Sequence, residues 1–184
     1  AVVFGASTTS YTGIAFDAGS SKIIIAYQDG GNSNFGTAIV GTVSGTSISF
    51  GTAVVFEAAS SLEINVSTDG SGKVLIAYRD QGNSNYGTAI AGTLSGTSIS
   101  FGTPVVFETG DSTYISTTFD STAEKVVIAY RDNGDSNKGK AIVGTVSGTA
   151  ISFGTAVVFE AGATAYIGIA FDAGSSKIII AYQD

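Results

Sequence analysis

The 184-residue sequence contains no cysteine, histidine, methionine or tryptophan, and a single proline. Without cysteine there is no disulfide framework, no zinc–thiolate site and no thiol chemistry. Without histidine, the usual acid–base group at neutral pH and the commonest transition-metal ligand are missing. These absences exclude thiol proteases, Ser-His-Asp hydrolases and most metalloenzymes. Basic residues are scarce: eight Lys and Arg stand against fifteen Asp and Glu, a net charge of −7. With no basic stripe, that balance speaks against nucleic acid and anionic membranes as partners. No apolar run approaches the roughly 20 residues that cross a bilayer, so no membrane insertion is expected.

What is present is globular in character. Hydrophobic residues make up 43% of the chain, enough to build a core at this length. The rest is largely Gly, Ser and Thr. Such a cysteine-free, acidic composition suits an extracellular protein.

The chain repeats itself. "GTVSGTSISFGTAVVF" (Gly41–Phe56) returns with small changes at Gly92–Phe107 and Gly144–Phe159. "IAY" begins at Ile25, Ile76, Ile128 and Ile180, and "VVF" at Val2, Val54, Val105 and Val157. A period near 52 signals one supersecondary unit copied in tandem. Each copy divides into four runs rich in Ile, Val, Phe, Tyr and Thr; in the first copy these are 11–17, 22–29, 36–44 and 47–56. Gly, Ser, Asn and Asp separate them, which reads as antiparallel hairpins.

Four meandering strands per copy point to an all-β fold of β-propeller blades, about 3.5 in this chain. "KIIIAY" is apolar at consecutive positions, as a strand buried on both faces requires. The first strand carries small residues, Gly13 and Ala15, which suit a crowded innermost strand. Pro104 falls in the fourth strand, where an outer edge tolerates it. The rival readings are a β-solenoid and an array of sandwiches. The expected division is 1–10 as the end of an outer strand plus loop, then blades at 11–61, 62–112 and 113–164. The first half of a fourth blade follows at 165–184. Residues 14–29 and 169–184 are identical.

The motif "YxxIAFDxxxxKxxIAYxDxGNSNxGxAIxGTxSGTxISFGTxVVF" resembles a family of tandem β-propeller repeats. That family occurs in secreted, cell-surface and phage-associated microbial proteins. The resemblance implies a propeller fold, a binding or scaffolding role and a location outside the cell or on a cell or virion surface. It supplies no catalytic residues.

Candidate binding residues lie in the loops "DGGNSNFG", "DQGNSNYG" and "DNGDSNKG". They are Asp29, Asn32 and Asn34; Asp80, Asn83 and Asn85; and Asp132, Asp135 and Asn137. Clustered carboxylate and amide oxygens suit a glycan or a hard cation, with Asp80, Asp132 and Asp135 as the calcium candidates. The plainer reading is a turn in which Asp and Asn cap the backbone and Gly supplies positive φ. Arg79 and Arg131 precede two of the aspartates. They read either as anion or sugar contacts or as links between blades. Tyr27, Tyr78, Tyr130 and Tyr182 read as core.

No metal site or cofactor is expected beyond that calcium candidate, and no catalytic residue. Nearly the same groups recur in every copy, whereas catalysis needs groups in different environments. The expected function is therefore a non-catalytic extracellular structural or adhesive module, not an enzyme. It would be part of a larger propeller or assembly, partnered by itself or by the remainder of a longer repeat chain. The alternative is a multivalent, lectin-like carbohydrate-binding propeller, assisted by calcium.

Overall fold

A computed structural model describes residues 2–184. Among them fifteen strands follow in order: β1 (Thr9–Asp17), β2 (Lys22–Asp29), β3 (Phe35–Ser44), β4 (Ser47–Phe50), β5 (Val54–Thr68), β6 (Lys73–Asp80), β7 (Tyr86–Ser95), β8 (Ser98–Phe101), β9 (Val105–Asp120), β10 (Lys125–Asp132), β11 (Lys138–Ser147), β12 (Ala150–Phe153), β13 (Val157–Ala163), β14 (Ala165–Asp172) and β15 (Lys177–Gln183). One 3-10 turn, Gln81–Asn83, interrupts them.

Every pairing is antiparallel, and each sheet is a meander. β5 and β9 each serve two sheets. Val54–Ser60 closes the first sheet against β3, and Ser61–Thr68 opens the second against β6. β9 repeats this between β7 and β10. β14 and β15 form a separate two-stranded sheet. The inner strands of successive sheets lie next to one another, as in propeller blades, and not as in coils or separate sandwiches. Their crowding explains the small residues: a Cβ on Gly13 would stand 3.1 Å from the Ile64 carbonyl oxygen of the next sheet.

Two details differ from the sequence reading. The fourth strand is broken into β4 and the start of β5, and again into β8 and β9, with Gly-Thr-Ala or Gly-Thr-Pro between. Pro104 therefore sits in a break and blocks no ladder bond. A Cβ on Gly102 in that break would lie 2.0 Å from the Thr149 carbonyl oxygen, so only glycine lets the next turn approach.

The second strands of the three full sheets, β2, β6 and β10, bury side chains on both faces. In β6, Val74, Ile76 and Tyr78 pack back on the first sheet, while Leu75 and Ala77 pack forward on the third. That explains the unbroken apolar run; each fully buried side chain contributes about 1.5–3 kcal/mol. An aromatic contact links each sheet to the next. Phe56 meets Tyr78, Phe107 meets Tyr130 and Phe159 meets Tyr182 at ring separations of 5.2, 5.1 and 5.2 Å. Phe4 meets Tyr27 at 5.4 Å, so the first residues stand where the end of an outer strand stands elsewhere.

Candidate functional site

The "DxGNSN" loops are built as turns. The Asp29, Asp80 and Asp132 carboxylates accept from the amides of Gly31, Gly82 and Gly134 at 3.0, 2.9 and 2.9 Å. Positive φ falls on Ser and Asn, not on the glycines: Ser33 and Asn34, Ser84 and Asn85, and Ser136 and Asn137 lie at 53–63°. Asn tolerates that region because its short side chain competes locally for hydrogen bonds. Asn34, Asn85 and Asn137 then turn their carbonyl oxygens to the amides of Ser61, Ser112 and Thr164. These loops thereby clamp the crossing into the next sheet, and both lie on one face of the molecule. Asn32 and Asn83 are exposed beside them.

The two arginines have different fates. Residues 32 apart in sequence meet on this face. Gln28 donates to Ser60 at 3.2 Å, and Arg79 pairs with Asp111 at 2.6 Å. For Arg131 the same offset reaches Ala163, which offers no carboxylate. Its Nε donates instead to Thr113 Oγ1 and Asn133 Oδ1, at 3.0 and 2.7 Å, and its guanidinium lies 4.7 Å from the centre of the Tyr114 ring. Among the described residues it has no carboxylate within ion-pair distance. Arg79 is thus tied to the next sheet by an ion pair, and Arg131 by an Nη1 hydrogen bond to the Thr164 carbonyl oxygen at 3.4 Å.

Tyr114 belongs to a set that the sequence reading passed over. A bulge near the start of each inner strand places one residue at φ 48–51°: Tyr11, Glu63, Tyr114 and Tyr166. Such a φ costs a non-glycine residue roughly 1–2 kcal/mol, and bulges re-aim side chains near functional sites. The Tyr114 and Tyr166 rings lie 5.3 Å apart, and the Glu63 carboxylate accepts from the Tyr114 amide at 2.9 Å. Tyr114, Arg131, Thr164, Tyr166, Gln183 and Asp184 line an open depression of about 380 Å³. The recurrence of Tyr, Glu, Tyr and Tyr at the 52-residue period was the signal that could have found them.

The third sheet differs from the others through Lys140, which replaces Thr37 and Thr88. Its ammonium lies 2.6 Å from Asp132, 3.2 Å from Asp135 and 3.7 Å from Glu108. Burial pulls its pKa down, but the hydrogen bonds to Asp132 and Asp135 outweigh that and raise it. Donation from Lys138 and Lys140 holds Asp135 below the usual carboxylate range. Asp80, without such a lysine, is pushed up by burial despite the amides of Gly82 and Asn83. The calcium candidates thus sit in unlike surroundings, and an ammonium already lies between two of them. Among the described residues no three acidic side chains are disposed around a common metal position.

Tyr–Glu pairs join the sheets as well. Tyr78 and Tyr130 donate to Glu57 and Glu108 at 2.8 and 3.0 Å. A tyrosine beside a glutamate can serve as nucleophile and base in some glycosidases. Here both phenols are fully buried, and burial pushes them well above the ordinary value, the wrong direction for attack. These two pairs are structural.

No family model matches the sequence, and no curated protein matches it. Solved structures match the fold. They include the NanB sialidase from Streptococcus pneumoniae in complex with 2-[(3-chlorobenzyl)ammonio]ethanesulfonate, at a TM-score of 0.60 and 14% identity over 92% of this chain and 26% of that one. A second NanB structure, with optactamide, gives 0.62 and 14% over the same shares. The leech intramolecular trans-sialidase complexed with 2,7-anhydro-Neu5Ac gives 0.58 and 12% over 95% and 27%. The chain spans about a quarter of the length of these proteins. At such identity the likeness shows the fold, a β-propeller type.

The comparison corrects two expectations, that of a non-catalytic structural or adhesive module and that of no enzyme. The fold neighbours are sialidases. The copies are also not chemically alike: Asp135 and Lys140 stand where the other copies have Asn and Thr, and Arg79 pairs with a carboxylate while Arg131 does not.

Proposed function

We propose that this chain is the carbohydrate-binding part of a sialidase-like propeller, working outside the cell or on a cell or virion surface. The observation that carries the reading is the Arg131 guanidinium stacked on Tyr114 beside the exposed Tyr166 ring. Aromatic faces hold the apolar faces of sugars, and a guanidinium without a protein carboxylate favours an anionic group on the ligand. The 2,7-anhydro-Neu5Ac bound in the trans-sialidase neighbour is of that class. The repeat resemblance and the acidic, cysteine-free composition support the location.

Calorimetric titration with 3'-sialyllactose and with lactose tests this. Binding of the sialylated sugar, weaker binding of lactose, and a loss of ten-fold or more in Arg131→Ala and Tyr166→Ala are expected. No heat with either sugar, or affinity indifferent to both substitutions, would overturn it. Free sialic acid measured in the same samples separates turnover from binding.

A further inference from the structure

Residues 14–29 and 169–184 are the same sixteen residues, and they form the same hairpin in the same register, with Ile14 opposite Ile25 and Ile169 opposite Ile180. Their surroundings are opposite. The forward face of β1–β2, carrying Gly13, Ala15, Asp17, Ile24 and Ala26, is covered by the second sheet. Ile24 is 0% exposed. The equivalent forward face of β14–β15 is bare, and Ile179, the counterpart of Ile24, is 54% exposed. The backward faces reverse this. On β14–β15 that face packs against β9 and β10. On β1–β2 the β1 half of that face leaves Ile14 and Phe16 exposed at 65% and 61%, while Ile25 and Tyr27 of the β2 half are covered by Phe4 and its neighbours.

We propose that a second copy of this chain docks head to tail, its β1–β2 backward face on the β14–β15 forward face of the first. Both halves of that contact already exist inside the chain. The forward-face residues of the hairpin are those that hold the second sheet, and the backward-face residues are those that rest on the third. Joining the two therefore continues the stack with the same inter-sheet chemistry. Phe4 adds to the fit, because it already seats on Tyr27 as Phe159 seats on Tyr182. Two unlike patches make the contact heterologous, so it yields a ring where the rotation closes and a filament where it does not.

The test is light scattering after size-exclusion chromatography of the whole chain from about 1 to 200 μM, with Phe16→Glu and Ile179→Glu. Both side chains are exposed in the single copy, so both variants should fold, which circular dichroism checks. The wild type is expected to associate and each variant alone to be monomeric. A mixture of the two variants is expected to form dimers and nothing larger, because one good patch survives on each. A monomeric wild type across the range would overturn the proposal. So would a Phe16→Glu variant that associates like the wild type, since that result means β14–β15 pairs with itself.

Discussion

The Tyr78 hydroxyl donates a 2.8 Å hydrogen bond to Glu57 from a position fully buried between the first and second sheets. Burial pushes the Glu57 carboxyl above its ordinary value, although this hydrogen bond opposes the shift. A carboxyl raised on folding stabilises the protein when protonated. That contribution is present at low pH and is lost as pH rises from about 4.5 through the folded-state value. Glu57→Gln keeps an acceptor for Tyr78 and removes the desolvated charge. It is expected to match or exceed the wild type above that window and to flatten the pH dependence of the urea midpoint. Tyr78→Phe leaves Glu57 without its donor and should cost about 1–2 kcal/mol at neutral pH.

Lys140→Thr gives the third sheet the residue of the second. Asp132 loses its 2.6 Å ammonium contact and enters surroundings like those of Asp80. A loss of about 2 kcal/mol is expected in urea unfolding. Asp135 is held down by Lys138 and, second to it, by the same ammonium, so its stabilisation is present above the unfolded-state value and fades as pH falls through the folded one. The variant should lose part of that acid sensitivity.

Tyr166 stands at φ 51° with its side chain 73% exposed. Tyr166→Gly and Tyr166→Ala both remove the ring, but only glycine accepts the backbone without strain. The glycine variant is expected to be more stable by about 0.5–1 kcal/mol, while both lose sugar binding equally. Equal stabilities would show that the bulge relaxes at no cost.

Calcium at millimolar concentration is expected to leave the thermal midpoint unchanged, because Lys140 already supplies the positive charge between Asp132 and Asp135. A concentration-dependent rise would place a cation there.

The local structure was written in the sequence. Strand runs, hairpin turns and the 52-residue period follow from side-chain alternation, apolar runs and turn chemistry, which act over a few residues. Even the capping role of Asp29, Asp80 and Asp132 was legible, since each aspartate reaches an amide two residues on. The site was legible only in pieces. Arg131 was singled out, but its difference from Arg79 depends on a neighbour 32 residues away, Ala163 in place of Asp111. Tyr114 and Tyr166 gave no local sign, because their strained φ is imposed by a register shift against the next strand.

By itself, then, the sequence determined the elements of this protein and the order in which they repeat. Tertiary structure alone decided what each copy of a repeated residue meets: a neighbouring sheet or solvent, a carboxylate or a carbonyl oxygen. Ile24 and Ile179, or Arg79 and Arg131, are locally alike. Burial and ion pairing depend on what lies opposite, and that is set by the stacking of sheets across dozens of residues.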